Sequence, residues 1–388
     1  MPAATDAVAR FERGWEGRLG VPVRALASAR GAIAAALSAS GIGPGDDVVV
    51  TGYTCVAVPA AVRSVGARPV YADVDRGTGN VTVGSVAAAM TPTSRAVIVQ
   101  HFLGNPAPTG AIRASLGPDV VIVDDAAHAL GSTHRGRPVG LDGDWTVLST
   151  EQSKSLSTGQ GGLLAAVSAR ALEAWTRVRP TSVTPTGHTR RWAARVGVER
   201  LAFAFTPGGW RFPAAVAVRT GHRVGLARIS SRDPLEAVGG MPAWRGAPMP
   251  AALAEIGNRQ LSRIQRILDH RARIADRYER SLAGRIGLLE VDGSADVRWL
   301  RFPVVVPDGD AAERSMRDLG WELGPRWFSG PIHPGDVPPD SVGYRPGTCP
   351  VAEWLGARII NLPTHPLVSD RLAERLAGDL LRAVGRAA

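Results

Sequence analysis

One side chain stands apart in this 388-residue chain. Of its 45 lysine and arginine residues, only Lys154 is a lysine, and the other 44 are arginine. A guanidinium stays protonated, whereas an ε-amino group sheds its proton and condenses with a carbonyl. A lone lysine among arginines therefore points to amine chemistry and not to charge alone. Asp125 closes the apolar run Val120-Val-Ile-Val-Asp-Asp125 and lies 29 residues before Lys154. That interval holds one loop and one strand, so both side chains can reach the same rim of a sheet. An amine with a carboxylate beside it suits pyridoxal phosphate (PLP), because the carboxylate keeps the pyridinium nitrogen protonated and the ring can then accept electrons. Ser149 ends the strand that enters the lysine loop and offers a hydroxyl to a phosphate. Gly159, Gly161 and Gly162 let the backbone turn tightly after the lysine.

These residues need a scaffold, and the hydrophobic pattern supplies one. Continuous apolar strands are expected at 48–53, 69–74, 96–101, 119–124, 145–150 and 162–167, with helices at 56–65, 81–89 and 109–116. Buried strands alternating with helices predict an α/β fold, a mostly parallel sheet covered on both faces. In such sheets functional groups collect at the carboxyl ends of the strands, where Tyr53, His101, Asp124, Asp125 and Ser149 fall. An amphipathic helix is expected over 8–19. A second, alanine-rich helix starts after Ser28, and its free N–H groups are a candidate phosphate seat. From 180 to 250 no period is clear, although 188–205 has helical character. One long helix is expected over 250–282, with Arg259, Arg263, Arg266, Arg271, Arg273 and Arg277 on a solvated or inter-subunit face. A strand at 298–306, a helix at 311–319 and a helix at 367–384 indicate a smaller C-terminal α/β domain. The expected division is a large domain over 1–240 and a small one over 241–388.

Composition excludes several classes. Hydrophobic residues make up 45% and charged residues 21%, the balance of a globular protein. No apolar run reaches the roughly 18 residues of a membrane helix, and residues 1–10 lack the pattern of a signal peptide. Cys55 and Cys349 form no CxxC pair, no His, Cys, Asp and Glu group has metal-site spacing, and a cytoplasmic location is expected. The net charge of +10 is spread along the chain with few interleaved aromatics, so it argues for a phosphate-bearing cofactor or substrate over nucleic acid. The Gly-x-Gly-x-x-Gly nucleotide fingerprint is absent after the first strand, which runs into Thr51-Gly-Tyr-Thr-Cys55.

Several blocks together carry a resemblance. They are Ala25-Leu-Ala-Ser-Ala-Arg-Gly31, Gly41-Ile-Gly-Pro-Gly-Asp-Asp-Val48, Gly66-Ala-Arg-Pro-Val-Tyr-Ala-Asp-Val74, Val123-Asp-Asp-Ala-Ala-His-Ala-Leu-Gly131 and Ser149-Thr-Glu-Gln-Ser-Lys154. Asn258-Arg-Gln-Leu261 and Asn361-Leu-Pro-Thr-His-Pro366 extend them. The chain resembles the fold-type I, PLP-dependent sugar aminotransferases of the DegT/DnrJ/StrS family. The resemblance implies that Lys154 joins the cofactor as a Schiff base and shuttles protons, and that Asp125, not Asp124, pairs with the pyridinium nitrogen. It implies that His128, in place of a usual glutamine, contacts the ring oxygen with a pH-dependent charge, and that Ser28, Ala29, Arg30 and Ser149 hold the phosphate. It further implies a homodimer with the site at the interface.

There are departures from the family pattern. Cys55 stands where the family often has an aromatic ring over the cofactor, and Arg30 replaces a threonine. The family's Asn-x-Arg has no match, with Gly246 and Pro248 near its positions and Arg245 the nearest basic residue. The segment that precedes Phe11 in the family is mostly missing. His333 and His365 either line the site or satisfy loop carbonyls. The expected function is transfer of an amino group from glutamate or glutamine to a nucleotide-linked keto sugar. The competing expectations are a PLP enzyme of the same fold acting on an amino-acid-type substrate, and a non-catalytic regulatory protein.

Overall fold

The computed structural model of the chain describes residues 2–180, 235, 240–321, 323, 326–335 and 337–387. Helix α1 (Pro2–Leu19) buries Phe11 and Trp15, and Gly20 at φ 71° ends it. Strand β1 (Val23–Leu26), helix α2 (Ala29–Ala39), β2 (Asp47–Thr51), β3 (Thr54–Cys55), α3 (Ala57–Ser64), β4 (Arg68–Ala72) and α4 (Val83–Ala89) follow. Next come β5 (Ser94–Gln100), α5 (Thr109–Ser115), β6 (Val121–Asp125), β7 (Thr133–His134), β8 (Arg137–Pro138), β9 (Trp145–Ser149), β10 (Gly162–Ala166) and α6 (Ala169–Ala174). Seven of these strands form one sheet in the order β1-β10-β9-β6-β5-β2-β4. Strand β10 runs against both neighbours, and the pairs from β9 to β4 are parallel. Every residue of β2 and β6 is buried, which explains why both read as unbroken apolar runs and do not alternate.

After the lysine half, α7 (Ala251–Leu261) lies along α1, and α8 (Ile264–Leu282) leads into the C-terminal part of the chain. There β11 (Gly287–Leu288), β13 (Arg301–Val305) and β15 (Ile359–Pro363) form an antiparallel sheet. Strand β12 (Ala295–Asp296) joins the β7–β8 hairpin, and β14 (Ile332–His333) pairs in parallel with β3. Helices α9 (Gly309–Asp318), α10 (Pro350–Gly356) and α11 (Asp370–Ala387) complete this part, with α11 packed on α8 and α9. The stretch expected to hold helix 188–205 lies outside the described residues.

Two expectations need correction. The helix expected over 250–282 is two helices, broken at Ser262 and Arg263, where Arg263 has φ −115° and ψ 4°. Ser262 turns its hydroxyl back onto the Arg259 carbonyl at 3.0 Å, a local bond that competes with the helical ladder. Ile264 and Leu268 at the start of α8 share the α7 core with Leu253 and Leu261, and Ile274, Ala275, Tyr278 and Leu282 carry α8 on into the larger core. Arg271 is also not on a solvated face. It is buried, and its Nη1 donates to Leu300 O and Thr364 Oγ1, each at 2.7 Å.

Candidate active site

The carboxyl ends of β1, β2, β5, β6 and β9 share one rim, and the residues picked out by type are on it. Strand alternation separates the two aspartates. Asp124 points into a saturated structural cluster, accepting from Thr109 Oγ1 (2.7 Å), His101 Nε2 (3.2 Å), Gly143 N (2.8 Å) and Asp142 N (3.2 Å). His101 Nδ1 accepts from Ala107 N, so the ring proton sits on Nε2. Asp125 faces the other way, buried, and accepts from Ala127 N at 3.1 Å. Burial pushes its carboxyl above the usual carboxylate range, against the pull of the Ala127 N–H and the positive field of Lys154.

The loop after β9 carries the lysine. Thr150 N bonds to Gly161 O, Gln152 N to Gly159 O and Thr158 N to Thr150 O, which folds the segment back on itself. A Cβ on Gly161, at φ 153°, would stand 2.3 Å from Thr150 Oγ1 and 2.4 Å from Met249 Cε. Lys154 emerges half-buried from this turn. Burial lowers its ammonium pKa from the ordinary lysine value, Arg301 pushes the same way, and Glu151, Cys55 and Asp125 oppose them.

Across the rim, Ser28 caps α2 by accepting from Gly31 N at 3.0 Å, while its own proton goes to Arg245 O at 2.9 Å. The hydroxyl's donor is thus already committed, and what the helix start offers an anion is backbone N–H and dipole. Gly162 abuts this point: a Cβ there would lie 2.2 Å from Ala29 N. Arg30 is buried in the first turn, and Ser149 sits half-buried at the end of β9, beside Gly162. Arg245, the nearby basic residue, places its carbonyl on Ser28 and its guanidinium over Trp244 at 4.1 Å.

The C-terminal part of the chain closes the site with a wall that the residue types had not announced. Trp327 is buried with its ring centroid 5.2 Å from Lys154 Nζ and 4.1 Å from Arg301 Cζ. His128 lies 5.9 Å from the same ring and 5.7 Å from Phe328. His333 lines this wall, accepting from Phe328 N through Nδ1 at 3.2 Å and pushed down to about 4 by burial and by Lys154. His365 is on the surface, its carbonyl facing His270 Nε2 at 3.2 Å. Burial and Lys154 also hold His128 well below the ordinary histidine value, so the pH-dependent charge expected of it is replaced by a neutral ring. The thiol of Cys55 is pushed up by burial within the field of Arg30, Lys154 and Asp125. An aromatic ring therefore does face the lysine, but from 173 positions downstream, a separation at which no periodicity speaks. Its one trace in the sequence is the aromatic pair Trp327-Phe328 just before Gly330-Pro-Ile-His333.

The donor set fits a pyridine ring bearing a phosphate. Asp125 is a buried carboxylate, His128 Nδ1 is buried with no partner among the described residues, and the glycine-backed start of α2 offers a close approach to backbone N–H. Residues 4–201 and 245–380 match the DegT/DnrJ/EryC1/StrS aminotransferase family. The chain belongs to that family. This aminotransferase is 28% identical over 88% of its length to the dTDP-4-dehydro-2,3,6-trideoxy-D-glucose 4-aminotransferase of Saccharopolyspora spinosa, 79% of which is covered. Its fold matches the aminotransferase TlmJ of Streptoalloteichus hindustanus with a TM-score of 0.72 at 24% identity, covering 98% of this chain and 91% of that one. A Streptococcus pneumoniae protein solved in its PLP form matches at 0.71 and 20% identity, over 98% and 92%. The cofactor of the aminotransferase is PLP, and the fold is that of the fold-type I enzymes. Among its described residues no helix is long and apolar enough to cross a membrane.

Proposed function

We propose that this aminotransferase moves an amino group from glutamate or glutamine to a keto sugar carried on a nucleotide, as a cytoplasmic homodimer. The observation that supports the reading best is the convergence of Lys154, Asp125 and the start of α2 on one rim. Bound there, PLP would supply an electron sink that lets a C–H bond beside the nitrogen ionise. Asp125 would hold a proton at the pyridine nitrogen, which also gives its buried carboxylate a cationic partner. Ser149 and the first N–H groups of α2, at Ala29 and Arg30, would hold the phosphate, with Ser28 fixing the helix start. Neutral His128 would donate to the ring oxygen. Lys154, its amine freed at lower pH than an exposed lysine, would carry the proton between donor or acceptor carbon and the cofactor. Trp327 keeps water from that amine.

The nucleotide-sugar part rests on the Saccharopolyspora spinosa relative and on the strongly positive chain, which suits a diphosphate. The test is a visible spectrum of the holoenzyme. Glutamate or glutamine bleaches the cofactor band, and a nucleotide-linked keto sugar restores it. A band that every amino donor leaves unchanged overturns the transfer. A band bleached by donors but restored only by keto acids favours the amino-acid-type substrate. Light scattering at the monomer mass overturns the dimer.

A further inference from the structure

The mechanism leaves one strong cation inside the site without a task. Arg301 opens β13, opposite Pro363 of β15, and lies half-buried over the ring of Trp327. Among the described residues no carboxylate and no hydrogen-bond acceptor pairs with its guanidinium. The acid that acts on it, Glu151, has Oε2 occupied by Ser153 N at 3.1 Å and Ser153 Oγ at 2.5 Å. The other groups in its field are cationic or neutral: Lys154, Arg271, His128, His333 and His365. A half-buried guanidinium stacked on a ring, with no acceptor on its N–H groups, leaves a fork of donors that an arriving anion takes in a two-pronged bond. Lys154 Nζ and Arg301 Cζ are 5.2 and 4.1 Å from the centroid of one ring, so a single small molecule can touch both.

We propose that Arg301, braced on Trp327, is the anion anchor for substrate, taking a carboxylate or phosphate group of the molecule whose reacting atom is presented to Lys154. The anchor rests on the transfer reading above. Its ligand chemistry has two sources, the carboxylate of the amino donor and the acidic group of the acceptor. Trp327 fixes the direction of the fork, and the apolar ring strengthens the contact by excluding water.

The test uses holoenzyme of the wild type, Arg301→Gln and Arg301→Lys, with the two half-reactions followed separately by the cofactor's visible band. Loss of a charge-assisted pair raises the half-saturation of the anchored substrate by about 10- to 100-fold in Arg301→Gln. Arg301→Lys, which keeps charge but loses the fork, recovers part of it. A rise in the donor arm assigns the carboxylate, and a rise in the acceptor arm assigns the acceptor's anion. A rise in both means that the anchor serves each in turn. Unchanged half-saturation in both arms, or loss of bound cofactor in Arg301→Gln, overturns the anchor. Calorimetry with 2-oxoglutarate and with pyrophosphate gives a readout without turnover. If the wild type bleaches with no donor, the transfer reading falls alone, and the anchor stands only where one of these anions binds the wild type and not Arg301→Gln.

Discussion

Asp125 and Lys154 are held in states that water would not favour, and each shift has a measurable consequence. Because burial raises the Asp125 carboxyl, the cofactor-free fold binds this proton more tightly than the unfolded chain. Its contribution to stability is complete below the unfolded carboxyl value and declines as pH rises through the folded one. Asp125 thus burdens the cofactor-free fold more at high pH than at low pH. Asp125→Asn should raise the Tm of the cofactor-free protein at pH 7, narrow that gain at pH 4, and weaken PLP retention. Melts with and without PLP check this, and equal melting at every pH would sink it. Lys154→Arg keeps a cation but no transferable proton, so turnover should fall by about 10²- to 10⁴-fold or more, read in the same spectral assay.

At the scale of elements, the start of α2 is built by contact as much as by capping. A Cβ on Gly31 would lie 2.0 Å from Arg245 O, the same carbonyl that orients Ser28. Gly31→Ala should therefore push the 243–246 turn off the helix, cost about 1–3 kcal/mol in urea unfolding, and lower PLP affinity. The comparison is Thr82→Ala, which removes the capping box of α4, away from the rim, by deleting the Thr82 side of the pair with Ser85. It should cost about 1 kcal/mol and leave turnover intact. Equal PLP affinity in the two variants would show that the α2 start does not hold the phosphate.

At the scale of the molecule, the wall facing Lys154 depends on how the C-terminal part of the chain docks. Strand β14 lies parallel to β3, Thr54 N donates to Pro331 O and Val56 N to His333 O, each at 2.8 Å, and Tyr53 Oη donates to Phe328 O at 2.7 Å. Gln100 Nε2 holds the Tyr53 carbonyl at 3.1 Å from beneath. Tyr53→Phe leaves the Phe328 carbonyl short of a donor, so stability should drop by about 1 kcal/mol. Because Trp327 precedes Phe328, substrate half-saturation should rise more than turnover falls. Steady-state kinetics beside chemical unfolding separate the two, and an effect on stability alone would sever the docking from the site.

The lysine, its carboxylate and the sheet that carries them were legible in the chain because each is local. A lone Lys154 is visible by count, buried parallel strands are visible as apolar runs, and strand alternation fixes that Asp124 and Asp125 face opposite ways. Asp124 is consumed by Thr109, His101 and the loop at 142–143, which leaves Asp125 as the candidate partner of the pyridine nitrogen. Strand β15 and helix α10 were missed because each is short and set among Pro and Gly residues. The break between α7 and α8 was missed because one apolar stripe runs through it and only packing on α1 reveals two partners. Trp327 and Arg301 come near Lys154 only because β13 and the 326–333 segment fold over the rim. Neither has a local pattern that announces it, since contact across such separations is decided by the docking of surfaces, not by spacing along the chain.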